Sequence, residues 1–205
     1  ANAEVFAVTV SGSTGYVGGA FTDIFTSGHS YFAGVTDPSI AENVLTNGSF
    51  ESGTAPWIFY TNGSGNFTTV SYGSMAAKLT INSGGTNVQL YQVGFPLEAG
   101  QRYRLSFAAY SSTGHDMSVW VHQHDSPYIN YGLADYYVNL STSWQTFSTE
   151  FITAGFSSTV NNARLRFWLA PYASAGDVYY IDNVVLEKVQ PETIVRNGDF
   201  ESGTI

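Results

Sequence analysis

Period-two alternation is the feature of this chain that most narrows its possible folds. Short runs of alternating apolar and polar residues recur along it, broken about every 8–15 residues by Gly, Ser, Asn or Pro, and helical spacing is absent. Over 102–110, Tyr103, Leu105, Phe107 and Ala109 face one way, with Arg104, Ser106 and Tyr110 opposite. Over 117–124, Met117, Val119 and Val121 oppose Trp120, His122 and His124. Over 163–169, Leu165, Phe167 and Leu169 oppose Arg164, Arg166 and Trp168. Successive strand side chains point to opposite faces, so each run sends its apolar set to a core and its polar set outward. Further strands are expected at 44–50, 57–60, 67–71, 77–82, 87–93, 128–131, 136–140, 144–152 and 178–187. Their number and spacing predict an all-β protein, a β-sandwich of two antiparallel sheets.

An internal repeat bounds the module. VLTNGSFESGT at 44–54 returns as IVRNGDFESGT at 194–204, an offset of 194 − 44 = 150 positions. We read 43–189 as one module and 190–205 as a Pro191-containing linker followed by an extra C-terminal strand. That strand either opens a next repeat or is donated to a neighbour. Residues 1–42, with strand-like VFAVTV at 5–10 and Gly-rich turns at 11–19, are expected to be an N-terminal β appendage or the tail of a preceding module.

Charge and composition remove several function classes. Sixteen acidic side chains face seven basic ones, a net charge of -9, and the cations form no patch, which excludes a nucleic-acid partner. No apolar run reaches the ~20 residues of a membrane helix, so no membrane insertion is expected. Absence of Cys removes disulfides, thiolate nucleophiles and Cys-bound zinc together. Only 11% of residues are charged, against the usual ~25%, so Ser, Thr, Asn, Gly and Tyr must solvate the surface. This is the composition of an extracellular protein, whether secreted, cell-surface or on a virion. Ala1-Asn2-Ala3 fits the end of an A-x-A cleavage site, or an arbitrary start. No G-x-S-x-G, H-E-x-x-H or phosphate loop occurs, and Asp116, Asp125, Asp135 and Glu150 would make a glycosidase pair only if folding opposed two of them. A non-enzyme is expected.

The runs NVLTNGSFESGTAPW, QRYRLSFAAYSS, VWVHQHDSPYINYGL, SWQTFSTEF and DVYYIDNVVLEKV, in that order over 43–189, resemble the carbohydrate-binding module superfamily. Families four, nine, sixteen and twenty-two are the nearest groups. The resemblance implies a β-jelly roll in which 87–93, 163–169, 117–124 and 128–140 share one sheet. The outward face of that sheet would then line a sugar cleft. Trp120, His122, His124, Arg164, Arg166 and Trp168 would form this face, with Gln89 and Tyr91 beside them and Tyr128 and Tyr131 walling one end. Flat aromatic faces suit the C–H faces of pyranose rings, and planar polar groups satisfy hydroxyls. A competing reading covers Trp120 and Trp168 with a loop, a neighbouring module or 1–42. Trp57 and Trp144 are expected at the core edge.

Two metal readings follow. His122 and His124 at i, i+2 could share a metal with His115, Asp116 or Asp125, though H-x-H alone is a weak signal against a role as cleft-lining polar groups. The resemblance also implies a structural Ca2+ held by Glu51 and Asp182, with Ser49 standing where Asp199 stands in the second copy. Hydrogen bonds to turn amides are the alternative for these two acids. The expected function is a non-catalytic extracellular carbohydrate-binding or adhesion module for a polysaccharide of the β-glucan or xylan type, working beside neighbouring modules of the same protein. The alternative is a structural subunit of a filament, surface layer or virion assembled by strand donation.

Overall fold

The computed structural model describes residues 42–189 and, before them, the backbone of β1 (Val5–Ser11) and β2 (Thr14–Gly19). These two strands pair antiparallel from Val5↔Gly19 to Ser11↔Thr14. The Gly-rich stretch expected as turns is thus mostly strand, since glycine weakens a strand without forbidding it. The other expectations for 1–42, and those for 190–205, lie outside the described residues.

Within 42–189 ten strands follow in order. They are β3 (Ile58–Thr61), β4 (Ser64–Ser71), β5 (Met75–Ser83), β6 (Val88–Leu97) and β7 (Arg102–Ser111). Then come β8 (Met117–Gln123), β9 (Asn130–Val138), β10 (Gln145–Ile152), β11 (Val160–Trp168) and β12 (Val178–Lys188). They build two five-stranded antiparallel sheets, β10-β7-β12-β5-β4 and β3-β6-β11-β8-β9, the jelly-roll sandwich the alternation predicts. The second sheet unites the four stretches that the resemblance places together, with β3 added at one edge.

The inward faces close one core. Leu105, Phe107, Leu79 and Ile181 of the first sheet meet Leu90, Val119, Val121, Leu165 and Phe167 of the second, all but fully buried. Phe107 and Phe167 meet edge to face across the sandwich, centroids 5.1 Å apart. Each such side chain contributes about 1.5–3 kcal/mol relative to exposure, so the polar outer faces can be given over to other work.

Two sequence expectations fail for identifiable reasons. Residues 44–50 are a chain of turns, not a strand: Asn47 (φ 51) and Phe50 (φ 56) take left-handed backbone, which breaks any pleat. Val44 N–H still donates to Leu186 O, and Val184 N–H to Gly48 O, so the segment is tacked along β12. A Cβ on Gly48 would stand 1.9 Å from Val184 O, which is why this close approach requires glycine. Conversely, the strands expected at 128–131 and 136–140 are one strand, β9, with register shifts against β8 and a left-handed Asp135 (φ 51) between them.

Candidate binding cleft

The alternation of β8 and β11 places the outward side chains on one surface. In register, Arg166 lies opposite Trp120, Arg164 opposite His122, and Trp168 opposite Ser118. On the other side of β11, Gln89 and Tyr91 of β6 pair with Trp168 and Arg166. Of these, Trp120, His122, Arg164, Arg166, Trp168 and Gln89 line an open cleft of about 430 Å³, within the usual ~300–1,000 Å³ of ligand sites. Trp120 and Trp168 are half-buried and both line the cleft, Trp168 also packing against the edge of the core.

Cations and aromatic rings are interleaved here. The Arg166 guanidinium lies 4.6 Å from the Trp168 ring centroid and 5.2 Å from that of Trp120. Arg164 sits over Tyr91 at 4.2 Å, and its Nε and Nη2 donate to His124 Nδ1 at 3.0 and 2.8 Å. Such contacts hold a guanidinium in place without neutralising it. Burial, with the Arg164 charge beside it, pushes Arg166 down to about 10.

Four buried side-chain polar atoms lack a hydrogen-bond partner among the described residues, and two of them, His122 Nε2 and Arg166 Nε, belong to cleft residues. His122 is 4% exposed, and its Nδ1 stands 2.6 Å from the Gln123 carbonyl oxygen. A carbonyl only accepts, so Nδ1 carries the proton and Nε2 is a bare acceptor. Burial, reinforced by the charges of Arg166, Arg164 and His124, outweighs the Gln123 hydrogen bond and pushes His122 down to about 4, keeping it neutral at pH 7. Both atoms lie beneath the cleft surface, an unused donor and an unused acceptor on adjacent strands.

Seven of the expected residues line the cleft: Trp120, His122, Arg164, Arg166, Trp168, Gln89 and Tyr128. Tyr91 and His124 stand behind Arg164 as its supports. Tyr131 does not belong: it is 3% exposed, its ring packs on Phe156 and its hydroxyl donates to Asn162. Period two turns Tyr131 inward with Leu133, while Tyr128 precedes the strand. Asn87 and Asn130 line the cleft unforeseen. Period two from Gln89 would have found Asn87, whereas Asn130 needs its pairing with His122. Of the two outlying tryptophans, Trp57 is core (4% exposed) and Trp144 is not (38%).

The metal readings separate. His115 Nδ1 lies 2.7 Å from Asp177 Oδ2, and Asp116 accepts from Leu140 N–H and Tyr137, so neither stands with the cleft histidines. Glu51 accepts from Met75 N–H, and Asp182 accepts from the adjacent Ser74 Oγ and from Asn183 N–H. Both turn-amide bonds are real. Burial and the Glu51 charge nevertheless raise Asp182 above the usual carboxylate range, against the pull of its hydrogen bonds. The Glu51 charge adds to the cost of ionising Asp182, a cost that a hard divalent cation would relieve, provided backbone or water oxygens complete the shell.

The sequence pattern of the carbohydrate-binding domain family matches residues 42–174, and the chain belongs to that family. Among solved structures, a family-four carbohydrate-binding module is 23% identical, with a TM-score of 0.59 over 70% of this chain and 99% of that one. The N-terminal cellulose-binding domain of Cellulomonas fimi β-1,4-glucanase C is 21% identical, at 0.56 over 74% and 99%. The enzymatically active domain of bacteriophage CBA120 tailspike protein 4 is 17% identical, at 0.56 over 72% of this chain and 21% of its own. No curated protein matches.

Proposed function

We propose that residues 42–189 form a non-catalytic module that binds a polysaccharide in the cleft on the β6-β11-β8 face. The observation that carries this reading is a pair of half-buried indoles interleaved with the Arg166 guanidinium on the lining of an open cleft. The indoles take the C–H faces of sugar rings, and the planar polar side chains of Gln89, Asn87 and Asn130 suit their hydroxyls. A β-glucan or xylan backbone is the chemistry we favour, in line with the cellulose-binding domain of the glucanase relative. Low charge, with Ser, Thr, Asn, Gly and Tyr solvating the surface, accords with a secreted or cell-surface setting.

Affinity-gel electrophoresis on a polysaccharide panel tests this reading, using the intact chain with Trp120→Ala and Trp168→Ala. Loss of retardation in both variants supports the assignment; unchanged retardation in both removes it. We also propose that Glu51 and Asp182 bind calcium. Millimolar Ca2+ should then raise Tm by a few degrees, and Asp182→Asn should abolish the increment.

A further inference from the structure

Within the cleft, charge is the unbalanced quantity. Arg102, Arg104 and Lys188 all stand within 4 Å of a carboxylate, from Glu150, Glu187 or Glu98. Arg164 and Arg166 form no such pair among the described residues, although the chain carries 16 acids. Asp125 and Asp135 act on them only at a distance, and among the described residues no acid lines the cleft. Exposed arginines are thus neutralised while half-buried ones are not, the reverse of what desolvation favours in an unliganded protein.

We propose that the cleft takes an acidic saccharide, a uronate-bearing chain whose carboxylate seats on the Arg166 and Arg164 guanidiniums. This rests on the reading of the cleft as a saccharide site and adds the charge of its ligand. The planar fork of arginine fits a carboxylate through two parallel hydrogen bonds. The side-chain amides of Gln89, Asn87 and Asn130 line the same cleft and suit neighbouring hydroxyls. One anionic group with hydroxyls beside it describes a uronic acid ring. A simple polyanion lacks the donors.

The test is calorimetric titration of the intact chain with glucuronoxylan, polygalacturonate and alginate oligosaccharides. Each is compared with its carboxyl-reduced form, and polyphosphate serves as the anion control. At least one uronate ligand should bind about tenfold or more tightly than its reduced form, and this ratio should shrink in about 0.5 M NaCl. Arg166→Gln should bring the ratio to within about twofold. The ratio compares two ligands on one protein, so partial misfolding cancels from it. Equal binding of native and reduced forms would overturn the acidic preference and leave the saccharide site standing. Binding of no saccharide would overturn both. Polyphosphate binding as tightly as the best uronate would also overturn the proposal, because charge alone would then suffice.

Discussion

The two outer faces of the sandwich each carry an aromatic cluster, and they differ in what their polar atoms still lack. On the β10-β7-β12-β5-β4 sheet, Tyr110 stacks on Tyr180 at 4.3 Å with rings 6° apart, and Trp144 closes on Tyr110 at 4.8 Å. Tyr110 Oη donates to Tyr72 Oη at 3.1 Å. These rings pack their faces and edges on one another, and Tyr72 and Tyr110 pair their hydroxyls. On the other sheet, Trp120 and Trp168 flank a guanidinium that no acid among the described residues neutralises, beside a histidine nitrogen that none of them meets. An aromatic surface is therefore not by itself the mark of a binding site. Unspent hydrogen-bonding capacity and unbalanced charge at depth are what distinguish the cleft.

The largest effect expected from this contrast concerns His122. Its folded pKa of about 4 lies below the ordinary ~6.5, so between those values the unfolded chain holds the extra proton and stability rises with pH. Stability should fall by about 3 kcal/mol from pH 7 to pH 4 through this group alone, the difference between wild type and His122→Gln in urea denaturation across that range. Trp168→Ala comes next. It should weaken polysaccharide binding by about 2 kcal/mol, roughly thirtyfold in Kd by titration calorimetry. On the opposite face, a double-mutant cycle of Tyr110→Ala and Tyr180→Ala should give a coupling of about 1 kcal/mol in folding stability. The polysaccharide Kd should not move. Trp144→Ala should do least, changing that Kd by less than about twofold. A large loss there would erase the distinction between the two faces.

Alternation made most of this architecture legible. Period two correctly sorted the faces of β7, β8 and β11, because each has a polar outer surface over a buried apolar one. It failed where backbone leaves the pleat. Asn47 holds the turn after Val44 through its own side chain, donating to Gly53 O and Ala55 O and accepting from Ser52 N–H, and no apolar pattern encodes that. The irregular pairing of β9 likewise hid which way Tyr131 turns. Cleft residues on β8 and β11 were legible because two alternating strands carry them. The Tyr72, Tyr110, Trp144 and Tyr180 cluster was not, since its members come from four separate stretches that only the sheet topology brings together. Charge balance was also invisible: seven cations can be counted in the sequence, but which of them find acids depends on strand neighbours, as Glu150 beside Arg104 illustrates.

The chain's four tryptophans report on three environments at once, which allows one direct measurement. In a ¹H–¹⁵N correlation spectrum, the indole Nε1–H signals of Trp120 and Trp168 should shift as a glucuronoxylan oligosaccharide is added. Those of core Trp57 and of Trp144 on the far face should stay in place. Movement of the Trp144 signal with Trp120 and Trp168 unmoved would put the ligand on the wrong sheet and contradict the account.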